Sequence, residues 1–177
     1  MILEVTAAMV LAGAGTGAAQ EERASEAEVK SAFLFHFFRF VEWPKEAFES
    51  ELAPYVVGVI GRDPLEGALD RAFRGKALNG RAFQLERFSG LEEAKPCHLL
   101  FVCASEKDRM DDILRAVGSR PVLVVGETED LVRSGACLGF ALEHQRIRLV
   151  INRRAVSRSG LVVSSKLFQV ARSVEER

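Results

Sequence analysis

The sequence predicts an α/β protein, a three-layer sandwich in which helices cover both faces of a mixed sheet. Between residues 55 and 133, short apolar stretches alternate with amphipathic ones, which is the pattern of strands joined by helices. Two stretches with a period of two then flank the polar segment Glu143–Arg146 and indicate an antiparallel hairpin. Together these patterns favour a Rossmann-like mixed sheet with a C-terminal antiparallel hairpin.

The first helix is predicted over Ala27–Trp43. Ser25 can cap its amino end, and Pro44 ends it because proline disfavours helical geometry in the preceding residue. At helical spacing, one broad face of the segment is apolar and is formed by Val29, Phe33, Leu34, Phe37, Phe40 and Val41.

Strands and helices then follow in alternation. The predicted strands are Tyr55–Ile60, Arg81–Arg87, Leu99–Val102 and Val122–Val125, and the predicted helices are Asp63–Phe73, Asp108–Val117 and Asp130–Arg133. In the C-terminal part, the hairpin joins residues 138–142 to 147–151, and Asn152 can cap a short helix. A brief extended piece over residues 161–163 precedes a last helix, capped by Ser164 or Ser165.

The first residues differ in composition from the rest of the chain. Val5–Ala19 carries no charge, has the length of a signal-peptide apolar region and is too short to span a bilayer. We expect a signal peptide over residues 1–19, a flexible N-terminus over 20–26 and a single α/β domain over 27–177. No Lys or Arg precedes the apolar run, so a disordered or membrane-resting N-terminus is the alternative.

The charge balance argues against one class of partner. The formal net charge is −1, from 24 Lys and Arg against 25 Asp and Glu. Because nucleic-acid-binding proteins usually carry a basic excess that pairs with phosphates, no DNA or RNA partner is expected.

The spacing of chemically active residues fits none of the common catalytic or cofactor motifs. The glycines after residue 57 lack the intervals of a dinucleotide-binding loop, and no serine lies in a Gly-x-Ser-x-Gly elbow. Three histidines are too dispersed to place two imidazoles on one helix face: His36, His98 and His144. We therefore expect no cofactor, no metal and no enzymatic activity.

Three cysteines leave two alternatives open. Cys97 and Cys103 flank a predicted strand, which separates their Cα atoms by about 20 Å, whereas a disulfide needs less than about 7 Å. Cys137 could pair with either of them, or all three could be buried free thiols. Cys103 also follows a strand, where α/β proteins bind ligands, but a catalytic thiol needs a neighbouring base that the sequence does not show.

A series of short motifs extends in order along residues 27–173. They are Val29–Leu34, Phe40–Pro44, Val57–Pro64, Cys97–Val102, Pro121–Val125, Val150–Asn152, Ser159–Leu161, Ser164–Leu167 and Val170–Arg172. In order and spacing, the chain resembles the YfiR family of periplasmic proteins.

The resemblance implies an exported regulator without a catalytic site. Such a protein binds and represses the periplasmic domain of an inner-membrane diguanylate cyclase, a GGDEF protein, and so lowers cyclic di-GMP and biofilm formation. The resemblance also implies a homodimer and a peptidoglycan-associated outer-membrane lipoprotein as a second partner. Some family members carry two intrachain disulfides that respond to redox state. This chain has Cys97, but Val57 and Val59 in the strand that could supply its partner and a single cysteine at 137, so the disulfide switch is not carried over.

A partner-binding surface is predicted on the first helix. Phe35 falls among polar helix positions, with Arg39 and Glu42 beside it. Aromatic side chains ringed by polar residues are typical of interface hot spots. The alternative is that Phe35 packs under a loop or under the C-terminal helix.

Three functions therefore remain open. The first is the repressor of a membrane diguanylate cyclase. The second is a small-molecule-binding or enzymatic periplasmic domain with a site at the strand ends near Gly61, Ser105 and Gly126, which would need an enclosed pocket. The third is a structural envelope protein without effect on cyclic di-GMP.

Overall fold

A computed structural model of the protein describes residues 17–91 and 96–175. Its helices are α1 Gly17–Phe37, α2 Gly67–Phe73, α3 Met110–Val117, α4 Glu129–Arg133, α5 Arg153–Arg158 and α6 Ser165–Val170. Its strands are β1 Val41–Glu42, β2 Tyr55–Ile60, β3 Ala77–Leu78, β4 Arg81–Phe88, β5 Leu99–Val102, β6 Leu123–Gly126, β7 Leu138–Glu143, β8 Arg146–Ile151, β9 Val162–Val163 and β10 Arg172–Ser173. Two 3₁₀ helices cover Lys45–Ala47 and Ala104–Arg109.

Eight strands form the main sheet in the order β3-β4-β2-β5-β6-β7-β8-β10, while β1 and β9 pair separately. Strands β4, β2, β5, β6 and β7 are parallel, and β8 returns antiparallel to β7 through the predicted hairpin. The short edge strands β3 and β10 pair with β4 and β8, respectively. The predicted fold class, a mixed α/β sheet with a C-terminal hairpin, is confirmed.

The apolar residues form one core on each face of the sheet. On the first face, β2, β5, β6, β7 and β8 pack against α1, α2, α5 and α6 through residues such as Leu34, Phe73, Val156 and Leu167. On the second face, alternate residues of the same strands pack against α3 and α4 through Met110, Ile113, Leu131 and Val132. Because successive strand residues point to opposite faces, the all-apolar strands fill both cores at once.

The first helix differs from its prediction at both ends. It begins at Gly17, ahead of the predicted start at Ala27. The flexible N-terminus over 20–26 stays a prediction, and of the predicted signal peptide, residues 1–16 lie outside the described residues. It ends at Phe37, because Arg39 N–H bonds to the carbonyl of His36 (2.9 Å) and Phe40 N–H to that of Phe37 (3.0 Å), which form a turn. The chain then becomes β1, whose pairing with the distant β9 could not be read from local periodicity.

Two other helices are shorter than predicted. Asp63 caps a turn through Leu65 N–H (2.8 Å), but Glu66 adopts a positive φ of 45°, so α2 begins only at Gly67. The first residues of the predicted Asp108–Val117 helix belong to the 3₁₀ helix, and α3 begins at Met110. The predicted caps of the last two helices are confirmed, since Asn152 accepts from Ala155 N–H (3.0 Å) and Ser164 from Lys166 N–H (3.4 Å).

Two glycines facing each other on β6 and β7 allow α4 to lie directly on the sheet. A Cβ atom at Gly126 would approach Leu131 Cβ to 2.6 Å, and one at Gly139 would overlap Val132 Cγ2. Gly126 and Gly139 are partners in the strand register. Because neither has a side chain, the two positions form one continuous surface on which α4 packs.

Candidate partner-binding surface

Phe35 is half-buried and has neighbours within its own chain. Its ring centre lies 5.5 Å from those of Phe73 on α2 and Phe83 on β4, both in edge-on or tilted orientation. The ammonium group of Lys76 lies 4.3 Å from the centre of the Phe35 ring, a cation–π distance. The apolar surface of Phe35 is therefore partly covered by α2, by β4 and by Lys76 of the loop that joins α2 to β3.

The structure places Arg39 and Glu42 outside the helix that carries Phe35. Arg39 is exposed in the turn after α1, and Glu42 is exposed on β1, where it pairs with Val162 of β9. The three predicted partner-binding residues thus belong to three consecutive elements of one segment. Their binding role stays a prediction, but the surface they would form is a helix end with its following turn and strand, not one helix face.

The segment that follows Glu42 is held on the sheet by His98. Trp43 Nε1–H donates to the carbonyl of His98 (3.0 Å), and His98 Nδ1 accepts from Val56 N–H (2.9 Å). His98 Nε2 lies 3.1 Å from the carbonyl oxygen of Ala47, to which its N–H donates in the tautomer that leaves Nδ1 as an acceptor. The pKa of His98 is lowered to about 4, mainly by burial and in smaller part by the charge of Arg81, while the bond to Ala47 opposes the shift.

Sequence reasoning missed this role of His98. The residue was considered only as a metal ligand, and its local sequence carries no sign of partners that are 42 and 51 residues away. Within the described parts of the chain, no group of three or more His, Cys, Asp or Glu side chains is arranged to hold a metal ion.

The carboxyl ends of β2 and β5, where sheets of this type bind ligands, are occupied by side chains. Ser105 accepts from Arg62 N–H (2.9 Å) and contacts the Glu106 carboxylate, and a Cβ at Gly61 would overlap both side chains. Glu127 accepts from Ala104 N–H (2.6 Å). The hypothesis of a small-molecule site gains no support at Gly61 and Ser105. Next to Gly126, an open cavity of about 430 Å³ lies at the carboxyl ends of β6 and β7, with Glu127, Glu129 and Phe140 among its lining residues.

The three cysteines are free thiols. Cys103 is fully buried, and burial together with the carboxylates of Glu127, Asp63 and Glu106 raises its pKa. Burial also raises the pKa of Cys97 to about 12 and that of Cys137 to about 11. Because the thiolate is the nucleophile and the metal ligand, all three side chains are poorly suited to either role at neutral pH.

A cavity of about 440 Å³ lies at the amino ends of the parallel strands, on the side of the sheet opposite to Gly61 and Ser105. The segment Glu46–Glu49 forms one wall, and Cys97, His98 and Arg120 lie on the other side. Both ring nitrogens of His98 are already bonded to backbone groups, so this histidine offers no unpaired polar atom to a ligand.

The order of the parallel strands makes this a doubly wound α/β domain, and the side chains of Ser105 and Glu106 fill the space beside Gly61, where β2 and β5 meet at the switch point. A family model described as YfiR/HmsC-like matches residues 27–172, and the chain belongs to this family. The resemblance seen in the sequence is confirmed.

The fold is shared with a solved structure of low sequence identity. A conserved domain protein from Vibrio cholerae O1 biovar El Tor superposes with a TM-score of 0.59 at 12% identity, over 83% of this chain and 59% of that one. This chain therefore spans less than two thirds of the length of that protein. A ligand-free, open substrate-binding protein with adhesive properties from Clostridium difficile gives a TM-score of 0.49 at 11% identity, over 70% of this chain and 55% of that one, which is too distant to support an argument.

No helix within residues 17–91 and 96–175 combines the length and apolar character needed to cross a bilayer.

Proposed function

We propose that this protein is an exported, non-enzymatic regulator that binds the periplasmic domain of an inner-membrane diguanylate cyclase and represses it. The observation that carries the proposal is the family match over nearly the whole described domain, residues 27–172. Repression would lower cyclic di-GMP and biofilm formation. A homodimer and a peptidoglycan-associated outer-membrane lipoprotein belong to the same proposal as further partners.

Two features of the site support binding rather than catalysis. At the switch point between β2 and β5, the usual place for a substrate in this fold, the space beside Gly61 is filled by Ser105 and Glu106. Burial raises the pKa of Cys103, the one thiol placed there, so it remains protonated at neutral pH. An enzyme of this fold would need the reverse: an open crevice and an activated group.

The proposed contact surface contains Phe35 with Arg39 and Glu42. Arg39 and Glu42 are exposed and carry opposite charges at the end of α1, so they can select a partner by charge complementarity. The partly covered ring of Phe35 with Lys76 above it adds an apolar and cationic element.

Binding to the partner is tested with the purified chain and the periplasmic domain of a GGDEF protein encoded beside it. Isothermal titration should detect a complex, and deletion of the gene should raise cellular cyclic di-GMP. If neither occurs, the proposed function is wrong.

Charge reversal tests the surface separately. Arg39→Glu should weaken binding by about tenfold or more, because the attraction between Arg39 and an acidic group of the partner becomes a repulsion. Arg115→Glu is the matched control, since Arg115 is an exposed arginine on α3 that pairs with Asp112. Phe35→Glu is unsuitable, because the new carboxylate would lie against the rings of Phe73 and Phe83 and disturb the fold. Equal affinities for Arg39→Glu and the wild type would exclude this surface but not the function.

A further inference from the structure

The C-terminal part of the chain is strongly basic, although the formal net charge of the whole chain is close to zero. Residues 144–174 contain seven Arg or Lys and no Asp or Glu, in a chain whose formal net charge is −1. Two of these cations, Arg148 and Arg172, approach the carboxylate of Glu143, and Arg172 also binds Glu129. The other five lie on α5, α6 and the hairpin, so these elements carry more basic than acidic side chains.

Helix α5 presents its cations on one face. Ala155 and Val156 are buried against the sheet, which directs the remaining side chains outward. Three arginines and a serine line one open depression of about 350 Å³: Arg153, Arg154, Ser157 and Arg158. Guanidinium groups bind phosphate oxygens in a bidentate manner, so such a surface suits phosphate-bearing ligands.

Helix α6 adds a cation and an exposed apolar side chain beside this depression. The Arg153 guanidinium lies 5.0 Å from the ring centre of Phe168, and its Nε–H donates to Ser173 Oγ (3.0 Å), so α5 contacts α6 and β10 directly. Lys166 and Val170 are four residues apart on the outward face of α6, and Val170 is 71% exposed. Cations flanked by an exposed apolar residue are typical of surfaces that rest on a lipid headgroup layer.

We propose that the outward faces of α5 and α6 bind a bilayer surface that carries anionic phospholipids. Arg154, Arg158 and Lys166 contact the phosphodiester groups, and Val170 lies at the boundary between headgroups and acyl chains. A membrane is favoured over an acidic protein because the charge is spread over an open surface and includes an exposed aliphatic side chain. The proposal does not depend on the proposed function, since a lipid contact could accompany any partner.

The test measures binding of the full chain to vesicles. Phosphatidylcholine vesicles are compared with vesicles containing about one third phosphatidylglycerol, at low and high salt. The apolar run Val5–Ala19 can add equally to binding to either kind of vesicle. The preference for anionic lipid is therefore measured as the ratio of the two partition coefficients. We expect tighter binding to the anionic vesicles, and loss of that preference at high salt.

The triple variant Arg154→Gln, Arg158→Gln, Lys166→Gln should lower partition into anionic vesicles by about 100-fold, at a contribution of about fivefold for each cation. A matched control removes three exposed arginines that pair with carboxylates elsewhere: Arg71, Arg109 and Arg115. This control should remain within about threefold of the wild type. Circular dichroism checks that both variants fold.

Three outcomes would overturn the proposal. They are equal binding to neutral and anionic vesicles, an equal loss in the control variant, and stronger binding of the wild type to a poly-glutamate peptide than to anionic vesicles. The last outcome would assign the surface to an acidic protein.

Discussion

Acidification should destabilise the protein through His98 well above the pH at which most carboxylates titrate. The residue is 7% exposed, and its Nδ1 accepts from Val56 N–H while its Nε2–H faces the Ala47 carbonyl. A second proton must be added at Nδ1, where it would point at another N–H. Protonation therefore breaks the bond to Val56 and places a charge among the rings of Phe48 and Tyr55.

The size of the effect follows from the two pKa values. The unfolded chain protonates His98 near 6.5, whereas the folded state keeps it neutral down to a pKa of about 4. The folded pKa is depressed, so the stabilisation is fully present above 6.5 and is lost as the pH falls toward 4. Proton linkage gives a decrease in the free energy of unfolding of about 2 kcal/mol by pH 5 and about 3 kcal/mol by pH 4.

Urea unfolding of the wild type and of His98→Asn at about pH 7.5 and about pH 5 tests this reasoning. The variant keeps an acceptor for Val56 but cannot be protonated, so it should be less stable at the higher pH and should lose about 2 kcal/mol less on acidification. His144→Asn is the control, because His144 is exposed in the hairpin turn at a φ of 49° that asparagine tolerates. An equal loss in His98→Asn and the wild type would refute the assignment.

Three further substitutions test the packing. Ser31→Ala should stabilise the protein by about 1 kcal/mol in thermal unfolding, because the buried Ser31 hydroxyl has no hydrogen-bond partner among the described residues and alanine favours the helix. Gly139→Ala should destabilise it by about 2–3 kcal/mol, since the new methyl group collides with Val132; a smaller loss would show that α4 can shift. Glu129→Gln should destabilise it by about 1 kcal/mol and speed amide exchange in β10, because the carboxylate binds Arg172 there; unchanged exchange would contradict this.

Local patterns were sufficient for most elements of the sheet. Strands β2 and β5 were predicted at their observed bounds, because short all-apolar stretches between polar turns leave few alternatives. The hairpin was predicted from its period of two, and Asn152 and Ser164 were identified as caps from residue type alone. The motifs also placed the chain in its family, because order and spacing along the chain are sequence properties.

Contacts between residues distant in sequence could be read only from the structure. The sequence showed Phe35 on a polar helix face, but α1 ends at Phe37, and α2 and β4 cover part of the ring. The end of the helix reflects the pairing of β1 with β9, about 120 residues later, and no local period records such a contact.

Patterns along the chain were thus sufficient to predict the fold class, the family and the basic composition of residues 144–174. Three other features could be read only from the folded chain: three of those arginines share one face, His98 has a depressed pKa, and side chains fill the ends of β2 and β5 beside Gly61. The physical reason is that periodicity reports which side of an element is buried, whereas charge clustering, pKa shifts and filled crevices arise from side chains that meet only when the sheet has formed.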